Sequence, residues 1–390
     1  MDRSVHHDLS AAAHATRVCT RCVMDTSAPD IRFDHFGVCN YCTEYLVVRD
    51  RFLEADLVAR QARLETLLGK VREAGKGKAY DCIIGVSGGV DSSWVLALAV
   101  DNGLRPLAVH MDNGWNSELA QNNIANLVRG LGVDLHTHVI DWPEYRGLME
   151  AFFASDVVDV ELLYDNAMLA VNFQAAARHG VKHILGGTNV ATEGMRIPPS
   201  WNWMKYDKRN IKGISKRFGG PRLKTFPAIG TLDFTRYHLS GIRWTSFLDQ
   251  FDYRKRDALQ SLQGRFGYKP YPFKHYESVF TRFYQGFILA AKFGIDKRRV
   301  HLSTLIVNGE MTRDEALAAL EGIAYESEKL LKTDIAFFLK KMGWSREKLD
   351  SYIARPAIAH DAYPTEKPLW DRAIDVYRRL LRRQAGLPVT

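Results

Sequence analysis

The sequence predicts an α/β protein. A parallel, doubly wound sheet should form its centre, with an N-terminal four-cysteine zinc module before it and a helical region after it. Three observations carry this expectation. Four of the five cysteines fall into two C-x₂-C knuckles near the start. Short apolar runs alternate with amphipathic segments between residues 80 and 190, the pattern of βαβ units. Beyond residue 286 only helical periodicity is left. The 390 residues suffice for two or three domains. The longest uninterrupted apolar run, Trp94 to Val100, is far too short to span a bilayer. With no convincing secretory signal, a cytoplasmic location is expected. The net charge of +8 suits anionic ligands such as ATP, nucleotide-sugars or RNA without choosing among them.

Residues 1–16 read as a disordered tail. In residues 17–49, Cys19-Thr-Arg-Cys22 and Cys39-Asn-Tyr-Cys42 can close one tetrahedral thiolate site. Four thiolates leave no open coordination position, so the role is structural. Zinc is the expected metal. An iron–sulfur cluster shares the spacing, and disulfides suit a cytoplasmic chain least. Residues 50–79 read as a linking helix with an apolar stripe of Leu53, Leu57, Leu64, Leu67 and Leu68, ended by Gly75 and Gly77.

Residues 80–230 should form the nucleotide domain. Cys82–Val86 is a short β-branched run, hence a strand. Ser87-Gly-Gly-Val-Asp-Ser92 breaks it and opens a helix that runs to Val100. A glycine turn between a strand and a helix N-terminus binds phosphate, because unpaired N–H groups and the helix dipole both favour an anion there. The turn lacks the Gly-Lys-Ser/Thr ending of the common P-loop. Further strands are expected at 106–111, 135–140 and 182–185, with a helix capped by Ser117 and another over 164–179. Ligands belong at the carboxyl ends of such strands. Val86, Ser87, Gly88, Gly89, Asp91 and Ser92 are therefore candidates to hold a pyrophosphate, and the strand end at Met111 and Asp112 to line adenine and ribose. Gly187 and Thr188 would close the α-phosphate side. Asp91 and Asp112 can hold Mg²⁺ or serve as cap and turn residues. Asn189 and Glu193 follow as candidate substrate ligands.

The hexapeptide Ser87–Ser92 resembles the pyrophosphate (PP) loop of the ATP pyrophosphatase superfamily. That resemblance implies an adenine nucleotide alpha hydrolase-like sheet, cleavage of ATP between its α and β phosphates, and adenylation of a substrate oxygen. Many sulfur-transferring relatives require a catalytic cysteine. Here Cys82, the one cysteine outside the knuckles, lies in a predicted strand and reads as a core residue. Nitrogen chemistry is the expectation. A sharper resemblance rests on Cys-Thr-Arg-Cys-Val-Met-Asp-Thr-Ser (19–27), Gly37-Val-Cys-Asn-Tyr-Cys42, His275-Tyr-Glu-Ser-Val-Phe-Thr-Arg-Phe-Tyr-Gln285 and Gly309-Glu-Met-Thr-Arg-Asp-Glu-Ala316. Together with the loop, these are similar to the N-acetyl sugar amidotransferase family across residues 17–365. The resemblance implies ATP activation of a sugar N-acetyl amide and displacement of AMP by ammonia. It also implies an ammonia-supplying glutaminase subunit with a cyclase-like barrel partner, and products bound for O-antigen or related surface polysaccharide.

Residues 231–390 are expected to be a mainly helical substrate and partner region. Residues 196–230 look like an active-site loop, where Trp201 can stack on a substrate ring or fill the core. Residues 266–285 interleave bases with aromatics, which suits polyphosphates and also RNA. Lys274, beside the family motif, is the favoured phosphate-binding lysine over Lys269. His275 and Glu277 are candidate catalytic groups, Glu277 as general base or substrate anchor, and Arg282 a candidate substrate ligand. The rival reading is a tRNA-modifying thiolase or lysidine-type ligase of the same superfamily; the residues favour a nucleotide-sugar over nucleic acid, and no membrane role.

Overall fold

The computed structural model describes residues 17–52, 56–271 and 276–384. The predicted tail at 1–16 lies outside them, as do Leu53, Lys274 and His275. The chain falls into two units, neither a continuous stretch. The first gathers residues 1–55, 189–201 and 280–355, the second 56–188, 202–279 and 356–390.

In chain order, α1 (Asn40–Phe52) belongs to the first unit. The second unit then takes α2 (Leu57–Gly75), β1 (Cys82–Gly85), α3 (Val90–Asp101), β2 (Pro106–Asp112), α4 (Glu118–Leu131), β3 (Asp134–Val139), α5 (Trp142–Ala154), α6 (Leu162–Arg178) and β4 (His183–Gly186). The short α7 (Val190–Glu193) joins the first unit. The second unit resumes with α8 (Lys208–Arg217), α9 (Thr231–Leu239), β5 (Arg243–Ser246) and α10 (Lys255–Phe266). The return to the first unit runs through α11 (Val279–Phe283) and a π-helical turn, Tyr284–Ile288. There follow α12 (Leu289–Phe293), α13 (Arg298–Val307), α14 (Arg313–Leu320), α15 (Glu328–Met342) and α16 (Arg346–Ala354). Finally α17 (Lys367–Gln384) belongs to the second unit.

The second unit is built on a five-stranded sheet in the order β3-β2-β1-β4-β5, every neighbouring pair parallel. Strands β1 and β2 are buried on both faces, as their unbroken apolar runs require. The chain winds outward from β1 to β3, then restarts on the other side at β4, so the switch point lies between β1 and β4. Helices α3 and α6 both pack on these central strands, and right-handed crossovers put them on opposite faces. Ser117 caps α4 by accepting the Ala120 N–H, and the helix stops at Gly132 in the left-handed conformation.

One expectation needs correction here, one is met at an exposed edge, and one strand was not anticipated. The linking helix at 50–79 is two helices, and Leu57 is 70% exposed; the buried stripe is Leu64, Leu68 and Val71. The expected strand at 135–140 is an exposed edge strand, with Val139 facing solvent. The fifth strand, Arg243–Ser246, went unrecognised because its residues are polar and half-buried, without an apolar run.

In the first unit the cysteine knuckles rest on C-terminal helices. Val23 packs with Leu302 of α13 and Ala316 of α14. Arg299 pairs with buried Asp25 at 3.0 Å and donates to the Val23 carbonyl at 2.8 Å. Arg313 donates to the carbonyls of Cys19 and Cys22.

Candidate functional site

The residues of the Ser87–Ser92 turn sit at the carboxyl end of β1, at the switch point. Gly88 has φ +86°, which glycine alone adopts cheaply. Gly89 caps α3 without a side-chain acceptor, so the helix opens on N–H groups suited to an anion. Inside the turn, Ser87 Oγ and Ser92 Oγ lie 3.2 Å apart. The Ser87 N–H reaches Ser92 Oγ at 3.3 Å, the Gly89 N–H reaches Ser87 Oγ at 3.3 Å, and Ser92 Oγ–H donates to the Gly89 carbonyl at 3.3 Å. All are at the long end of the hydrogen-bond range, so a phosphate oxygen can replace them at little cost.

Neighbouring strand ends close in on this turn. A Cβ on Gly187, just past β4, would lie 2.9 Å from the Ser92 nitrogen, so only glycine lets the β4 end touch the first turn of α3. Thr188 Oγ1 and Ser246 Oγ are 3.2 Å apart at the ends of β4 and β5. Met111 is buried at the end of β2. Beside it Asp112 accepts the Gly114 N–H at 2.8 Å and the Asn116 amide at 3.2 Å, which is the turn role. His110 donates through Nδ1 to the Val86 carbonyl at 2.8 Å, which leaves Nε2 to accept from Asn116 at 3.0 Å. Burial holds this imidazole below its ordinary pKa, so it stays neutral. The Asp91 carboxylate accepts the Tyr253 hydroxyl.

Glu277 reaches the same turn. The Ser117 N–H donates to the Glu277 carbonyl at 2.8 Å, and the Val279 N–H to the Trp115 carbonyl at 2.9 Å, a short bridge that sets Glu277 beside the β2 end. A Cβ on Gly89 would collide with Glu277 Oε1. Tyr268 and Tyr271 both donate to the Gly88 carbonyl, at 2.9 and 3.2 Å. Sequence reasoning placed these tyrosines in a basic, aromatic run without assigning them to the loop, and it missed Tyr253 altogether. Hydroxyl-to-carbonyl pairing across more than a hundred residues leaves no local signal.

The remaining expected ligands are distributed differently. Asn189, Glu193, Trp201 and Arg282 belong to the first unit. Asn189 is buried and caps α7 by accepting the Thr192 N–H at 2.8 Å, while Glu193 is exposed. Trp201 is only 1% exposed and donates its indole N–H to the Ser27 carbonyl, so it is a core residue and not a stacking platform. Arg282 makes a two-pronged pair with buried Asp334 at 2.6 and 2.7 Å, which occupies its fork. In the second unit Trp203 stacks on His360 and Tyr206 on Trp370, so the loop at 196–230 is anchored through its rings. Lys205 from that loop is held by Asp159 at 2.6 Å and Asp165 at 2.9 Å. A cavity of about 380 Å³ lined by Lys182, Asp233 and Arg236 lies at the amino end of β4, away from the turn.

Cys82 is fully buried in β1, and burial raises its thiol well above the ordinary range. A thiolate nucleophile is excluded there. In the first unit the four sulfurs of Cys19, Cys22, Cys39 and Cys42 lie within 4.8 Å of one another, with 4.0 Å between Cys19 and Cys42 and 3.7 Å between Cys22 and Cys39. A tetrahedral metal with bonds of about 2.3 Å sets its sulfurs about 3.8 Å apart, whereas a disulfide needs about 2.05 Å. The geometry fits a four-thiolate metal site. Hydrogen bonds from the Cys22, Cys39 and Cys42 thiols hold Cys19 below the usual thiol pKa. The Cys39 and Cys22 N–H groups also point at its sulfur, at 3.2 and 3.5 Å.

Comparison with known proteins bears on the same two regions. Residues 60–193 match the family model of NAD synthase, and residues 277–377 match that of the C-terminal domain of the WbpG-like LPS biosynthesis proteins. No curated protein matches the chain. Solved structures similar to it include the NMN synthetase of Francisella tularensis, at 18% identity over 56% of this chain and 99% of that one, TM-score 0.26. Another is the NH3-dependent NAD synthetase of Campylobacter jejuni subsp. jejuni NCTC 11168 in complex with the nitrate ion, at 15% identity over 55% of this chain and 99% of that one, TM-score 0.28. Among the described residues no helix is long and apolar enough to cross a membrane. The turn at Ser87–Ser92 lies within the residues that match NAD synthase. With that turn at the switch point, the two family matches support one assignment, an O-antigen sugar amidotransferase-like family of PP-loop enzymes.

Proposed function

We propose that the protein is a cytoplasmic, ATP-dependent amidotransferase. It adenylates the N-acetyl amide oxygen of a nucleotide-linked acetamido sugar, with UDP as the expected carrier. Ammonia then replaces that oxygen, giving an acetamidino sugar with AMP and pyrophosphate. The observation that carries this reading is the position of Glu277. The WbpG-like match begins at this residue, and its carboxylate lies against Gly89 of the nucleotide turn. This puts a group from the segment that matches the WbpG-like model against the turn proposed to take ATP.

The chemistry follows from the substrate. An amide carbon is a poor electrophile. Transfer of AMP to its oxygen gives an imidate whose carbon ammonia can attack, and AMP departs with the oxygen. The turn N–H groups stabilise the departing pyrophosphate, and Asp91 or Asp112 would hold a Mg²⁺ ion that neutralises its charge. Glu277 is the proposed base that takes the proton the attacking nitrogen sheds. Lys274 and His275 precede it in the sequence and complete the proposed catalytic group. The four cysteines hold a structural zinc ion. Ammonia comes from a glutaminase subunit with a barrel partner.

The test is to supply the purified protein with ATP, ammonium and a diacetamido UDP-sugar. AMP and pyrophosphate should appear in equal amounts, with a sugar in which NH has replaced oxygen. AMP formation on tRNA and on no such sugar would overturn the reading in favour of a tRNA-modifying ligase. Metal analysis should find zinc; iron with visible absorbance would overturn that part.

A further inference from the structure

The nucleotide turn is gripped from outside by one segment that follows β5. Helix α10 packs against α3 and α4, and Arg265 near its end pairs with Asp101 of α3 through two 2.7 Å hydrogen bonds. Gly267 ends the helix in the left-handed conformation and redirects the chain. Asn123 of α4 receives it there, accepting the Lys269 N–H at 2.9 Å and donating to the Lys269 carbonyl at 2.9 Å. Tyr268, 3% exposed, and half-buried Tyr271 stand edge to face with ring centres 6.4 Å apart. Both hydroxyls donate to a single acceptor, the Gly88 carbonyl, and so fill its two lone-pair positions. Tyr253, at the start of the same segment, donates to Asp91.

We propose that Tyr268 and Tyr271 are positioning residues that aim the Gly89 N–H at the pyrophosphate of ATP. The reason is peptide geometry. In a trans peptide the N–H points opposite to the C=O, so fixing the Gly88 oxygen on the tyrosine side directs the Gly89 N–H to the other side. There it meets Ser87 Oγ at a loose 3.3 Å, a partner that a phosphate oxygen displaces. Gly88 cannot fix this peptide itself, because a glycine at φ +86° can flip it. Two hydrogen bonds to the oxygen also polarise the peptide and strengthen its N–H as a donor. Burial pushes both phenols above their ordinary pKa, so the hydroxyls remain protonated donors at working pH.

The inference rests on the reading that this turn takes the pyrophosphate of ATP. The test compares wild type with Tyr268→Phe, Tyr271→Phe and the double variant. Affinities for inorganic pyrophosphate with Mg²⁺ and for AMP are measured by calorimetry, with melting temperature alongside. Phenylalanine keeps the ring and removes the hydroxyl, which at Tyr271 also accepts a long 3.4 Å bond from the Asn123 amide. Each single variant should weaken pyrophosphate about three- to tenfold, and the double variant more than either. AMP, whose phosphate is expected on the Gly187 side, should bind as before. Equal pyrophosphate affinity in wild type and double variant would overturn the inference alone. So would a parallel loss of AMP and pyrophosphate, which marks general collapse of the turn. If the wild type binds neither pyrophosphate nor AMP, the nucleotide reading itself falls and takes the inference with it.

Discussion

At the residue scale, the nucleotide turn depends on two glycines for different reasons, and substitution separates them. At Gly89, φ is −78°, which alanine adopts freely; its methyl would strike the end of the Glu277 side chain, which can swing away. At Gly187 the methyl would meet the Ser92 nitrogen at 2.9 Å and the Asp91 carbonyl carbon at 3.0 Å, backbone atoms that cannot move without shifting α3. Gly187→Ala should therefore cost about 1–3 kcal/mol of stability, the usual range for overpacking. Gly89→Ala should cost under about 1 kcal/mol yet displace the Glu277 carboxylate and depress turnover. Urea denaturation beside an AMP-release assay reads both, and comparable destabilisation by the two variants would contradict this account. Residue identity told much in advance at this scale. The turn's glycines and the four clustered cysteines announce themselves by type and spacing. Trp201 and Arg282 did not, because a ring or a guanidinium looks the same in sequence whether it meets a ligand or, as here, a carbonyl and a buried Asp334.

At the scale of elements, the cysteine module is tied to helices nearly three hundred residues later. Val23 donates its N–H to Ser303 Oγ at 3.3 Å, Arg313 holds two knuckle carbonyls, and Tyr45 of α1 bonds the Val190 carbonyl and receives the Asn308 amide at 2.7 Å. Loss of the metal should therefore loosen more than residues 17–49. Hydrogen exchange after chelation, or in Cys39→Ser, should rise across α13, α14 and α7 while the β1 and β2 amides keep their protection. Faster exchange confined to residues 17–49 would show the module to be an independent appendage. None of this coupling was legible, since long-range pairing leaves no periodicity. What was legible follows burial. Strands β1, β2 and β4 are apolar runs between turn signals, whereas β5 lies at the edge, reads Arg-Trp-Thr-Ser and has no pattern to find. Helix α5 carried its start signal, Asp141 as cap with Pro143 in the first turn, directly after the expected strand, yet was not anticipated.

At the scale of the whole chain, buried neutral histidines make the fold sensitive to mild acid. His360 is the clearest case. Its Nδ1–H donates to the Asn210 side-chain oxygen at 2.9 Å, its Nε2 accepts the Asp159 N–H at 3.2 Å, and Trp203 stacks on its ring at 5.0 Å. Both ring nitrogens are thus used by the neutral form. Burial lowers its pKa from 6.5 to about 4, against the pull of Asp159 and with the push of Lys205. The unfolded chain binds this proton first as pH falls, so the contribution is complete above pH 6.5 and is lost between there and about pH 4. The loss approaches about 3 kcal/mol at the low end. His110 and His183, also lowered by burial, act with the same sign. Glu144 adds to the loss only at lower pH. Burial would raise its carboxyl, but hydrogen bonds from Thr225, Lys224 and Phe226 hold it below its ordinary 4.5. Between about pH 6.5 and 4.5 the histidines therefore dominate. Urea midpoints should fall steadily from pH 7 to pH 5, and His360→Gln, which keeps a donor and an acceptor without a titrating ring, should flatten that slope. A wild-type midpoint that is constant over this range would sink the account, and so would an unchanged slope in His360→Gln.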